Sequence, residues 1–354
     1  MLAYLKNYFL NRSKLWKTIM IISIVLFMAI LSWLLWLIFF HAAAAVSEKT
    51  WSAADNSAAA KCPDCVRRRI DGVYVKPDQA NLPPVAVMID NHPDARPQSG
   101  IEKANLVYEA EVEGYYTRLM AIFASGDTIA RIGPVRSARP YFVDWAQELN
   151  AVYVHCGGSP EALVDLIKSG ITDLNEFYNG HYFWRSTDRV APHNIYISSD
   201  NFTKYSTDNN IAPTAYGSWQ YKEDSPSPEA SSSDEVDINY QVADFRVKWV
   251  YDKTGNDYIR YANNQPELTA DRDLIIAKNI IIQIVPAAAI DAELRLKMDD
   301  VGSGTATICL DGVCQPGLWK KQSALSRTEF TTAVGQAVKF NAGPTWVEVM
   351  RPNE

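Results

Sequence analysis

Leu106-Val-Tyr-Glu-Ala-Glu-Val-Glu113 alternates without a break. Successive side chains of a strand point to opposite faces. Leu106, Tyr108, Ala110 and Val112 therefore share one face, and Val107, Glu109, Glu111 and Glu113 share the other. Gly114 turns the chain, and Thr117 to Ala124 reads as a strand returning. Upstream, Pro84-Val-Ala-Val-Met-Ile-Asp90 has the pattern of a buried strand that ends in a polar turn.

Downstream, Arg131-Ile-Gly-Pro-Val-Arg-Ser-Ala-Arg139 leads to Pro140, a residue suited to the first turn of a helix. Tyr141, Phe142, Trp145 and Leu149 follow at helical spacing. Ala151 to His155 is a further strand. Gly157-Gly-Ser-Pro-Glu161 opens a second helix, with Ser159 as N-cap and Pro160 at its first position. Alternating strands and helices predict a layered α/β domain over residues 83–216. Ser/Pro-rich residues 217–235 read as a linker. Residues 236–354 read as a second, mainly β domain, with strands at 245–251, 258–261, 274–285 (interrupted at Lys278-Asn279) and 345–350.

Two cysteines make a sharp prediction. Cys309 and Cys314 flank Leu310-Asp311-Gly312-Val313, and Asp-Gly is a strong two-residue hairpin turn. Leu310 and Val313 then close the turn, and the two cysteines become the next pair across it, close enough for a disulfide. Cys62-Pro-Asp-Cys65 fits a small stapled loop, with half a zinc site or a redox pair as alternatives; no second CxxC accompanies it. Cys156 is left over and expected to be buried.

The N-terminus decides the compartment. Ile19 to Phe40 is a run of 22 residues whose only polar side chains are Ser23 and Ser32. At about 1.5 Å per residue it reaches across a hydrocarbon core of roughly 30 Å. Lys6, Arg12, Lys14 and Lys17 precede it, and no acid does. The positive-inside rule therefore places residues 1–18 in the cytoplasm, 19–40 in the membrane and the rest outside, with 41–82 as a juxtamembrane linker. A cleaved signal peptide is the rival reading, with the alanines at 42–45 as the cleavage site. Both readings put the body in an oxidising compartment. The net charge is −7, and −11 once the four N-terminal cations are set aside, which argues against nucleic acid as a partner.

A set of phrases is similar to the YerB-like family of lipoproteins. They are Pro84 through Gly100, Val107-Tyr-Glu109, Glu113-Gly114, Thr117-Arg118, Gly133-Pro-Val-Arg-Ser-Ala-Arg139, His155, Gly158-Ser-Pro-Glu161 and Ala191-Pro-His-Asn194. Gly317-Leu-Trp-Lys320 and Gly343-Pro-Thr-Trp346 resemble the separate C-terminal domain of that family. The resemblance covers residues 83–352 and implies a two-domain, envelope-exposed protein of unestablished biochemical role. This chain departs from it in having no lipid-attachment Cys after its apolar run.

Candidate ligand residues are Asp90, Asn91, Arg96, Glu109, Glu113, Arg118, Arg136, Arg139, His155, Arg189, His193 and Asn194. Guanidinium groups match carboxylate and phosphate by two-point hydrogen bonding, so arginines gathered around turns suit an anionic cell-wall ligand or a protein partner. The competing account is internal: Arg118, Arg136 and Arg139 neutralise Glu109, Glu111 and Glu113. A divalent cation on Asp90 and the glutamates is a third account, since hard cations take oxygen ligands. No cofactor or metal motif is present, and no catalytic motif points to an enzyme. The general layout is similar to LytR-type glycopolymer transferases, which leaves an enzyme of phosphate-containing envelope precursors as the alternative function. That similarity is one of pattern alone.

Overall fold

The computed structural model describes Ser13, Trp16, Ile19, Ile22, Ser23 and residues 25–33, 62–124, 126–212, 215–231 and 234–352. Residues 1–49 and 50–354 form separate units. Among the described residues no helix is long and apolar enough to cross a membrane. Much of the 19–40 run and the alanines at 42–45 lie outside them.

The alternating stretch becomes β2, near the middle of a ten-stranded mixed sheet. In chain order the strands are β1 (Val85–Asp90), β2 (Leu106–Glu111), β3 (Thr117–Phe123), β4 (Val152–His155), β5 (Asp173–Asn175), β6 (Asn279–Ile284), β7 (Gly302–Leu310), β8 (Val313–Lys321), β9 (Glu329–Thr332) and β10 (Thr345–Met350). Their order across the sheet is β9-β8-β7-β6-β10-β2-β3-β1-β4-β5. The two sequence regions thus share one sheet. The seam is the parallel pair β2 and β10, in which Leu106 faces Thr345 and Glu109 faces Glu348.

Both faces are covered, as a sheet with parallel pairs requires. Leu106, Tyr108, Ala110 and Val112 pack on one side with α1 (Pro140–Gln147), where Tyr108 stacks on Trp145 at 4.9 Å. Val107 packs on the other side with Trp249, Tyr240 and Trp346. That side is capped by a smaller sheet of Glu235–Ile238, Val247–Asp252, Asp257–Ala262, Gln265–Pro266 and Ile276–Ala277. The interruption foreseen at Lys278 is where the chain leaves the small sheet and enters β6. Lys278 is buried there, its Nζ donating to Asp224 at 2.7 Å.

The predicted capping holds. Ser159 accepts from the Ala162 N–H at the start of α2 (Pro160–Ser169), and Pro140 opens α1. A further helix, α3, spans Ser199–Asp208. Helix is nevertheless sparse, so the body is mainly β where the first region was expected to be layered α/β, and both regions contribute strands to the one sheet. Two stretches expected to be linkers also fold. Val66–Arg67 pairs with Tyr74–Val75, and Asp71 behind them is buried on Arg68 at 2.9 Å. Gln220–Lys222 pairs in parallel with Lys339–Asn341. Their polar composition hid them, because their apolar contribution comes from isolated residues such as Ile70 and Trp219.

Cys309 and Cys314 form the expected disulfide across the hairpin, with Cα atoms 4.0 Å apart and Leu310 paired to Val313. Asp311 and Gly312 adopt φ of 58° and 78°, as this turn requires. Cys62 and Cys65 form a second disulfide, which is the stapled-loop reading. Cys156 is half-buried rather than buried, and burial followed by nearby Glu176 pushes its thiol up to about 12.

Candidate functional site

The three alternating glutamates meet three different fates. Glu109 is fully buried and pairs with Arg260 at 2.9 Å, while also accepting from Asn91 and Thr117. Glu111 pairs with Arg351 at 2.6 Å. Glu113 lies just beyond the strand, where the chain turns, and takes both Arg118 and Arg139. The expected internal pairing is therefore redistributed: Arg118 and Arg139 share one glutamate, and Arg136 goes to Asp90, its Nε 2.9 Å from Oδ2.

A cleft of about 350 Å³ results, lined among others by Asp90, His92, Glu113, Tyr116, Arg118 and Arg136. The sheet builds it. Asp90 ends β1 directly opposite Arg118 on β3. The 131–139 segment runs along β1, with Val135 bridged to Ile89 and the Arg136 N–H donating to Met88, which brings Arg136 over Asp90. Arg139 stands behind, its Nε donating to Glu113 at 2.8 Å. Three guanidinium groups thus meet two carboxylates; Glu293 also reaches the rim, but it is mostly exposed and lies near Arg295.

The electrostatics register the imbalance. Burial pushes the Glu113 carboxyl up, but Arg118 and Arg139 outweigh it and hold it at about 2. Arg118 moves the opposite way to its usual range. Burial and then the neighbouring Arg139 pull it down to about 10, so it remains a cation at neutral pH in a cation-rich place. It is 4% exposed, donates from one terminal nitrogen to Ser137 O at 2.9 Å, and its Nε has no hydrogen-bond partner among the described residues.

Other candidates lie apart from this set. Asn91 is buried in the Glu109 network and accepts from Gln98 and Arg96. Arg96 donates to backbone oxygens of Asn91 and Asp244 and lies against Phe245. Arg189 holds the carbonyls of Asp94 and Pro97. His155 is fully buried, with Gly157 O at 2.6 Å and Asp173 at 2.7 Å on its two ring nitrogens. Asn194 accepts from Arg185 and donates to Ser186 O. His193 reaches the cleft residue Asp90, its Nδ1 2.7 Å from Oδ2. His92, which the sequence reading did not single out, stacks on His193 at 4.9 Å. The one available signal was its place in the polar turn after β1.

A mainly β body in which two sequence regions share one sheet around an arginine-lined cleft defines the class. Residues 71–212 match the family described as protein of unknown function (DUF3048), N-terminal domain, and residues 236–347 match its C-terminal domain. The chain is 32% identical over 274 residues to a Bacillus subtilis (strain 168) protein named "Putative lipoprotein YerB", covering 75% of this chain and 81% of that protein. The crystal structure of YerB protein from Bacillus subtilis superposes with a TM-score of 0.72 at 28% identity, over 80% of this chain and 96% of that one. The chain belongs to this YerB-like DUF3048 family.

Proposed function

We propose that this protein is a membrane-attached, extracytoplasmic module that holds an anionic ligand at Arg118 and Arg136, with Arg139 behind them adding positive charge. Buried Arg118 carries the reading: crowded by like charge and with an unmatched Nε, it sits where an incoming anion relieves repulsion and gains hydrogen bonds. Attachment by a single helix over residues 19–40, with the N-terminus inside, is supported by the 22-residue apolar run behind four cations. Two disulfides support the outside placement. So does the lipoprotein name of the Bacillus relative. Phosphate and carboxylate groups of wall polymers are the fitting ligand class, because both accept bidentate guanidinium bonds.

The test is calorimetric titration of the detergent-solubilised full chain with inorganic pyrophosphate. Binding that weakens about tenfold or more in Arg136→Ala supports the reading, since one charge-assisted contact is worth roughly 1.5–3 kcal/mol. No heat up to millimolar pyrophosphate, or affinity indifferent to Arg136→Ala, removes it.

A further inference from the structure

We propose that His92, Asp94 and His193 form an open binding site for one divalent transition-metal ion of the zinc class. The three residues come from two loops about a hundred positions apart. His92 and Asp94 belong to the tight turn after β1, and His193 to the loop before α3. One ligand atom from each lies within 4.8 Å of the other two.

Three observations point to a metal rather than to a chance meeting of polar side chains. The first is the support beneath His193. Its Nδ1 lies 2.7 Å from Asp90 Oδ2, and a carboxylate oxygen can only accept, so Nδ1 carries the hydrogen. In the neutral ring the lone pair is then on Nε2. A histidine oriented by a carboxylate on its far nitrogen is the usual outer-shell arrangement of metal-ligating imidazoles. Asp90 is itself held, by the His92 N–H at 3.0 Å and by Arg136.

The second is the spacing at His92. Its Nδ1 lies 3.5 Å from Asp94 Oδ2. Two ligands about 2.0–2.1 Å from one tetrahedral ion are separated by roughly 3.3–3.5 Å, so the pair already has the edge length of a zinc polyhedron. Nδ1 now accepts from the Asp94 N–H at a long 3.2 Å, a weak bond for the ion to displace. Asp94 is mostly exposed, so a small rotation of its side chain closes the set.

The third is the stacking of the two imidazoles, with centroids 4.9 Å apart and planes 20° from parallel. That separation suits two imidazoles that ligate one ion from adjacent corners of its coordination shell, which sets their centroids roughly 5 Å apart. Two imidazoles and one carboxylate favour zinc, cobalt or nickel over magnesium or calcium, which prefer oxygen. Three protein ligands leave a fourth position open. His92 lines the same cleft as Arg136 and Arg118.

The experiment is a Zn2+ titration of the full chain in detergent, without a polyhistidine tag, in phosphate-free buffer against a chromophoric chelator. Co2+ absorption reports the coordination geometry. The expected result is one Zn2+ per chain, bound stoichiometrically at about 10 µM protein. His92→Gln and His193→Gln should each weaken binding by about 100-fold or more, and Asp90→Asn by about 10–100-fold through its outer-shell role. Melting curves without metal check that each variant folds; if His193→Gln does not, the more exposed His92→Gln decides. Absence of one-to-one binding overturns the proposal, as does affinity unchanged in His92→Gln. Pyrophosphate titrated with a chelator present reports on the anion reading separately, so either idea can fail alone.

Discussion

Two charge clusters lie close together along β2 and are built in opposite senses. Around Glu109, one arginine serves three glutamates: Arg260 pairs with Glu109 and Glu267, and Glu348 lies beside Glu109 in the parallel ladder. Around Glu113, three arginines serve two carboxylates. In the first cluster burial pulls the Arg260 guanidinium down, but the glutamates outweigh it and push it up. Burial and neighbouring Glu109 push the Glu348 carboxyl up. In the second cluster Glu113 is held low and Arg118 is pulled down. In each the minority charge is stabilised and the majority charge is strained. Exposure separates them further: Glu109 and Arg260 are 0% and 1% exposed, whereas Glu113 keeps 34%. A closed imbalance has to be met inside the fold, and an open one can be met by a ligand. This is why the second cluster is the functional candidate and the first is the clasp between the two sequence regions.

The comparison is most directly broken at Arg260. Replacing it with Met leaves buried Glu109 and Glu348, and the partly buried Glu267, with no direct cation. The expected cost is about 3–5 kcal/mol in a urea unfolding experiment, the usual penalty for stripping one partner from a buried pair. A loss below about 1 kcal/mol means that the seam is held by packing and that the clasp is incidental. The matching change in the cleft, Arg118→Met, should behave differently. A depressed guanidinium marks a charge that the fold tolerates at a cost, so removing it relieves repulsion while losing the bond to Ser137 O. Stability should stay within about 1 kcal/mol of the parent, and pyrophosphate affinity should fall tenfold or more. A loss as large as that at Arg260 shows Arg118 to be a second clasp.

How much of this was legible in the sequence follows from how local each feature is. The Cys309–Cys314 hairpin was fully legible, because turn type, pairing and bridge depend on six consecutive residues. The Pro140 start of α1 and the Ser159 cap of α2 were legible for the same reason. The alternation of β2 identified its two faces, and the arginines near Glu113 were suspected. What the stretch did not disclose is its other neighbour. β10 lies more than two hundred residues away, and nothing local selects it, so the meeting of Glu109 with Glu348 and Arg260 stayed hidden. The same non-locality hid the stacking of His92 on His193 and the sharing of one sheet by the two sequence regions. Of the arginines, chain position alone did not separate those facing carboxylates from Arg96 and Arg189, which hold backbone carbonyls.

The smallest expected effect tests the sign of the contrast. Glu113 has a folded value of about 2 against an ordinary 4.5, so the folded state binds its proton less readily than the unfolded chain does. Its stabilising contribution is full above the ordinary value and is lost as pH falls towards about 2. The shift corresponds to a few kcal/mol, but a side chain one-third exposed is screened, and about 1 kcal/mol is the expected size. Glu113→Gln should therefore lie about 1 kcal/mol below the parent at pH 6, with the two stability curves converging as pH falls towards 2. The glutamates around Arg260 run the other way. With raised values, they keep protons that the unfolded chain has released, so their contribution weakens as pH rises above the ordinary carboxylate range. If the gap between parent and Glu113→Gln widens towards acid instead of closing, Glu113 belongs with the strained majority rather than the stabilised minority, and the cleft is not cation-rich.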